Sequence, residues 1–202
     1  TSSGTCFINN SSNVILDCQG FEINYSTSGE LGFGINNSGF ENVTIKNCII
    51  KEGSGNTTAS KQAILFQNDA QNGTIYNNTI TIIGNNSAAI YLQLSNRTNI
   101  SENTILVRAN AEGINLDTAG QSSIYYNIIH VTNGGSGTTQ AITVTNGPNT
   151  ANFFLANNIT VAGYGTGIEL GNDAYGNVLF NNTIRTLVDA VINVNTDNGN
   201  NS

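Results

Sequence analysis

Among the side chains whose types could do chemistry are two carboxylates and a phenol: Asp117, Glu169 and Tyr91. A pair of acids can give and take a proton across a glycosidic bond, while a tyrosine ring stacks on a sugar and nearby amides make polar contacts. Other reactive groups are few. There is one histidine, His130, no methionine, and three cysteines, Cys6, Cys18 and Cys48. Copper-type ligation therefore has almost no donors, and neither a metal nor any other cofactor is expected. Turns such as GNDAYGN at 171–177 carry oxygens suited to calcium, but without the spacing of a calcium loop. A different chemistry is abundant. The glycan acceptor pattern Asn-x-Ser/Thr occurs at Asn9, Asn10, Asn24, Asn36, Asn42, Asn56, Asn72, Asn77, Asn85, Asn96, Asn99, Asn158, Asn181 and Asn200.

What must hold these groups is legible in the composition. The 202 residues include 22 Gly, 1 Pro and 36 Asn, with 9% charged side chains. Asn, Ser, Thr and Gly favour turns and caps, and no apolar stripe of helical period runs through the chain, which excludes a helical protein. No run of about 18 apolar residues exists, so no membrane span is expected. The net charge is −7, and Lys46, Lys51, Lys61, Arg97, Arg108 and Arg185 stand singly. Nucleic acid, which demands clustered cations, is excluded as a partner.

Two short patterns recur in phase. One is a burst ending in a fixed position occupied by Cys18, Cys48, Asn78, Asn103, Asn127, Asn157 and Asn182, as in IKNCII, IYNNTI and LFNNTI. The other is a small residue before alternating apolar positions, as in AILF, AIYL, GINL, AITV and GIEL, aligning Ile8, Ile35, Ile64, Ile90, Ile114, Ile142, Ile168 and Ile192. Short strands of period two, repeated every 24 to 30 residues and broken by Asn/Gly/Ser turns, describe a chain that climbs one strand spacing per coil. The expectation is an all-β, right-handed parallel β-helix of about seven to eight coils. It forms a single domain over 1–202, roughly 35 to 40 Å long at ~4.8 Å per coil. The fixed Asn should tolerate a left-handed bend and hydrogen-bond its copy one coil away, forming a structural ladder. Cys18 and Cys48 fall at the start of that ladder. In-register parallel neighbours rarely aim their Cβ atoms at one another, so stacked free thiols are expected ahead of a disulfide.

These repeats resemble the right-handed parallel β-helix proteins, among them pectate lyase-like enzymes, phage tailspikes and surface adhesins. The opening GTCFINNSSNVILDCQGFEI is similar to the first coil of extracellular and archaeal surface members. The resemblance implies that any catalysis sits on the outward face of one sheet, with carboxylates for hydrolysis or an Arg or Lys base for elimination. Outward positions are expected at Leu65, Tyr91, Asn115, Thr143, Glu169 and Asn193, then Gln67, Gln93, Asp117, Thr145, Gly171 and Asn195. Asp117 and Glu169 are the acids among them and no cation is present. The two lie two coils apart and out of phase, about 10 to 12 Å, wide of a glycosidase pair. On this reading the chain is not an enzyme, and Tyr91, Asp117 and Glu169 are at most a carbohydrate contact.

The sequons Asn77, Asn158 and Asn181 adjoin ladder positions and should point outward. No cap is written beside the first coil, near Cys6–Asn9, or the last, VINV at 191–194. Open strand edges invite either end-to-end self-association or neighbouring coils of a longer chain. The functional expectation is a secreted, N-glycosylated structural subunit of a cell-surface layer or head-to-tail filament. The alternative is a polysaccharide-binding or polysaccharide-processing β-helix module.

Overall fold

A computed structural model describes residues 1–53, 60–108, 110–132, 139–145, 151–163, 165–187 and 189–193. All regular structure among them is β-strand. The 22 strands form three parallel sheets, one of eight strands and two of seven, visited in rotation. Seven coils are thus complete, and an eighth begins at Val191–Asn193. The first sheet has the longest strands, including Gln62–Gln67, Ala88–Gln93, Glu112–Asp117 and Gln140–Thr145. Strands of the second sheet, such as Ser123–Tyr125, hold three residues, and those of the third, such as Thr104–Val107, hold four.

Identical apolar types stack because equivalent residues of successive coils pair directly. Ile35, Ile64, Ile90, Ile114, Ile142 and Ile168 form one inward column in the first sheet. Ile45, Ile75, Ile100 and Ile124 form a column in the second, and Ile50, Ile80, Ile105, Ile129 and Ile159 one in the third. Nearly all are completely buried. Each coil hides what its neighbour would leave wet, which is the main drive to stack. The register departs from expectation at both extremes. Phe7 rather than Ile8 pairs with Ile35, and Val191 rather than Ile192 pairs with Ile168. Ile8 is accordingly 72% exposed, and Asn193 pairs with Leu170 instead of following Glu169.

The asparagine ladder is present, although the predicted reason for it needs correcting. The Nδ2 of Asn78 donates to Asn103 Oδ1, Asn103 to Asn127, Asn127 to Asn157 and Asn157 to Asn182, at 2.9 to 3.0 Å. Each Oδ1 also accepts the backbone N–H of the preceding ladder residue, as in Asn103 N to Asn127 Oδ1 at 3.0 Å. The left-handed bend belongs to the residue before the ladder: Asn47, Asn77, Glu102, Tyr126, Ala156 and Asn181 have φ of 52° to 57°. The ladder amide instead satisfies backbone groups that this bend turns inward. A second buried ladder went unread in the sequence. Its backbone donors Thr98, Ser122 and Asn152 bond the side chains of Ser122, Asn152 and Asn177 in turn.

Cys18 and Cys48 are not free thiols. They form a disulfide with Cα atoms 4.8 Å apart, the spacing of adjacent strands. At the corner the Cβ atoms converge as they would not within a flat sheet. Cys48 also starts the ladder, its N–H bonding Asn78 Oδ1 at 2.9 Å. Cys6 remains a free, half-buried thiol. A charged pair is also sealed inside: Lys61 Nζ lies 3.2 Å from Glu52 Oε1, with both side chains fully buried. Glu52 further accepts the backbone N–H groups of Ile83 and Gly84 at 2.9 and 2.8 Å, which offsets part of its desolvation.

Candidate functional site

The outward face of the first sheet brings the predicted contacts together. Leu65, Tyr91, Asn115, Thr143 and Glu169 form one continuous paired column. Gln93, Asp117 and Thr145 form the next. The Tyr91 hydroxyl donates to Asp117 Oδ2 at 2.7 Å, and Gln93 Nε2 lies 3.5 Å from the same oxygen. The Thr118 hydroxyl donates to Asp117 Oδ1 at 3.2 Å. Burial and then the Asp117 carboxylate push the Tyr91 phenol well above its ordinary value, so it stays a donor. Glu169 stands one coil beyond Thr143 and accepts from Gln140 Nε2 at 2.8 Å.

A third carboxyl completes the face, and sequence reasoning missed it. Glu112 opens the strand Glu112–Asp117, where strict alternation from Asn115 and Asp117 assigns it inward. Alternation fails here because Gly113 and Ile114 are both buried, which slips the phase by one residue. The position admits only small residues: a Cβ on Gly113 would come within 2.3 Å of Ala141 O. Ala63, Ala89 and Ala141 stand just before the inward isoleucine in neighbouring coils, the small residue of the repeat. The signal was present in that repeat, since a small residue required before the inward Ile marks a bend. Glu112 then turns over the outer face, where its Oε2 accepts from Asn115 Nδ2.

Electrostatics distinguish Glu112 from its neighbours. Burial chiefly raises its pKa above the ordinary glutamate value; the Asn115 hydrogen bond lowers it by less, and the charges of Glu169 and Asp117 add smaller increases. It also lines a polar pocket of about 330 Å3 with Asn86, Ser87, Asn110, Ala111 and Gln140. The arrangement is one acid inclined to hold its proton beside two carboxylates supplied with donors. Among the described residues, no three His, Cys, Asp or Glu side chains gather closely enough to hold a metal ion. His130 is exposed on the third sheet, away from this face.

The sequon asparagines lie elsewhere for the most part. Asn10, Asn42, Asn72, Asn77, Asn99, Asn158 and Asn181 are exposed. Asn9, Asn24, Asn36, Asn85 and Asn96 are partly buried, and several of these are engaged, as where Asn96 Oδ1 accepts Gly120 N–H at 2.7 Å. Asn56 and Asn200 lie outside the described residues.

Fold and face together define an all-β parallel solenoid with an acidic, amide-rich surface on its widest sheet. No protein-family model matches the chain, and no curated protein matches it in sequence. Among solved structures it is similar to the crystal structure of DFA-IIIase from Arthrobacter chlorophenolicus A6 in complex with GF2, with a TM-score of 0.48 and 13% sequence identity. The match covers 97% of this chain and 65% of that one, so this chain spans less than two thirds of its length. The expectation that the chain is not an enzyme is corrected: the solved structure it resembles is an enzyme by name, and the face carries a third carboxyl absent from the sequence reading.

Proposed function

We propose that the chain is a carbohydrate-processing member of the pectate lyase-like β-helix proteins, acting on a glycosidic bond at the outward face of its first sheet. The observation that carries this reading is the placing of Glu112, whose Oε2 accepts from Asn115 Nδ2, on the same sheet face as Asp117 and Glu169; burial raises its pKa. Glu112 gives its proton to the departing glycosidic oxygen. Asp117, which accepts hydrogen bonds from the Tyr91 and Thr118 hydroxyls, is the second carboxyl of the face and the one assigned to take a proton from the attacking water. The charge of Glu169 adds to the raising of the Glu112 pKa. Elimination is disfavoured, because no Lys or Arg occupies the described outward positions of this sheet.

Reducing-end release from a panel of soluble glycans tests the assignment. Glu112→Gln and Asp117→Asn should each lower kcat at least 100-fold, in keeping with loss of a general acid or base, without loss of the fold. A wild-type protein that releases nothing from any chain in the panel overturns it.

We further propose that the protein works in an oxidising extracellular setting. Its disulfide and its exposed sequon asparagines support that setting. Mass spectrometry of protein from its native source should find glycan on exposed sites such as Asn77, Asn158 or Asn181. Bare peptides at all of them would count against the secreted assignment.

A further inference from the structure

We propose that this face selects an uncharged, hydroxyl-rich sugar chain and that the Thr143 hydroxyl is one of its specificity-determining contacts. The inference rests on the carbohydrate reading above and narrows it to a substrate class.

Thr143 pairs with Asn115 on one side and Glu169 on the other, so its side chain leaves the sheet on the same face as theirs. The residue is 2% exposed, yet its Oγ1 has no hydrogen-bond partner. A buried hydroxyl able to donate and accept but doing neither is an unmade bond, and such groups in a folded protein call for an explanation. Its neighbours supply one. Glu169 and Gln140 are joined by a single hydrogen bond of 2.8 Å between flexible side chains. A ligand hydroxyl that replaces that bond would come against the column that holds Thr143, the strand partner of Glu169.

The surroundings decide the charge of the ligand. Asp117 and Glu169 repel a uronate carboxylate, and the described outward positions of the sheet hold no Lys, Arg or His to offset this. A cationic amino sugar is not called for either. Each carboxylate already has a donor on the face: Asn115 for Glu112, Tyr91 for Asp117, Gln140 for Glu169. A cation beside Glu112 would also strip the proton that the proposed reaction requires. What remains unmet is hydroxyl-sized: spare lone pairs on the carboxylates and the orphan Thr143 Oγ1. A neutral polyol chain both donates to the first and bonds the second.

The test is binding of the full chain to uncharged polymers (dextran, inulin, laminarin), to polygalacturonate and to chitosan, by affinity electrophoresis and calorimetry. Wild type, Thr143→Val and Thr143→Ser are compared. Binding is expected for at least one uncharged polymer and not for polygalacturonate. Thr143→Val, which keeps the shape and removes the hydroxyl, should weaken it about 3- to 10-fold while the melting temperature holds or rises. Thr143→Ser should stay within about 2-fold of wild type, a rescue that a packing role would not produce. Binding of polygalacturonate or chitosan alone overturns this inference and leaves the sugar-chain reading standing. Undiminished binding by Thr143→Val removes the threonine contact. Absence of binding to every polymer overturns both readings together.

Discussion

Glu112 shows how one backbone bend changes a residue's chemistry. Its pKa lies above the ordinary value of 4.5, so the folded protein holds a proton that the unfolded chain has already released. Folding is therefore favoured by this group at pH below about 4.5 and loses that contribution as pH rises through the folded-state value. Glu112→Gln removes the dependence. Calorimetric melts should show the variant more stable than wild type by a few degrees at pH 7 and indistinguishable from it at pH 3.5. An equal offset at both values would sink the claim. Tyr91, Asp117 and Glu169 were legible because they sit where period two holds, in the middle and at the end of the strand. Glu112 was not, because a period-two count carried back through Gly113 places it on the wrong side.

At the scale of the element, the corner matters more than the strand. Strands of three or four residues contribute few hydrogen bonds of their own, and the ladders bind the bends to one another. Asn127 shows the coupling: its amide receives the N–H and Nδ2 of Asn103 and donates to Ile100 O and Asn157 Oδ1. Asn127→Leu keeps the branching at Cγ and strands two buried donors, at a cost of about 3 kcal/mol or more. Urea unfolding should show a lowered midpoint of that order, and a change under about 1 kcal/mol would mean water takes over the bonds. The ladder was readable from the recurrence of Asn at one place in each coil. Its mechanism was not, because sequence spacing cannot separate the residue that bends from the neighbour that satisfies the bend. The disulfide was hidden for a related reason: its geometry depends on the corner, whereas the expectation assumed a flat sheet.

For the molecule as a whole, each coil touches only its neighbours, so stability is distributed along the stack. The first coil exposes Phe7, Ile8, Ile15 and Phe21, and a pocket of about 170 Å3 opens beneath it onto Ile35 and Ile45. The Cys18–Cys48 bond ties that coil to the second across 30 residues. A loop of this length implies a contribution of about 3 to 4 kcal/mol. After reduction, hydrogen exchange should quicken in the strands Ile15–Asp17 and Thr44–Lys46 and stay slow in Ala88–Gln93 and Glu112–Asp117. Uniform acceleration would show a single cooperative unit instead.

Tyr91, the pair Glu112 and Asp117, Thr143 and Glu169 come from four successive coils, so no single repeat contains the whole face. Copying a coil during evolution would lengthen the scaffold without duplicating the chemistry. Inserting one between Ala88 and Leu170 would move Glu112 and Asp117 a full strand spacing away from Tyr91 or from Thr143 and Glu169, whereas additions near Phe7 would leave the face undisturbed. Growth of such a protein is thus free at its margins and forbidden at its centre.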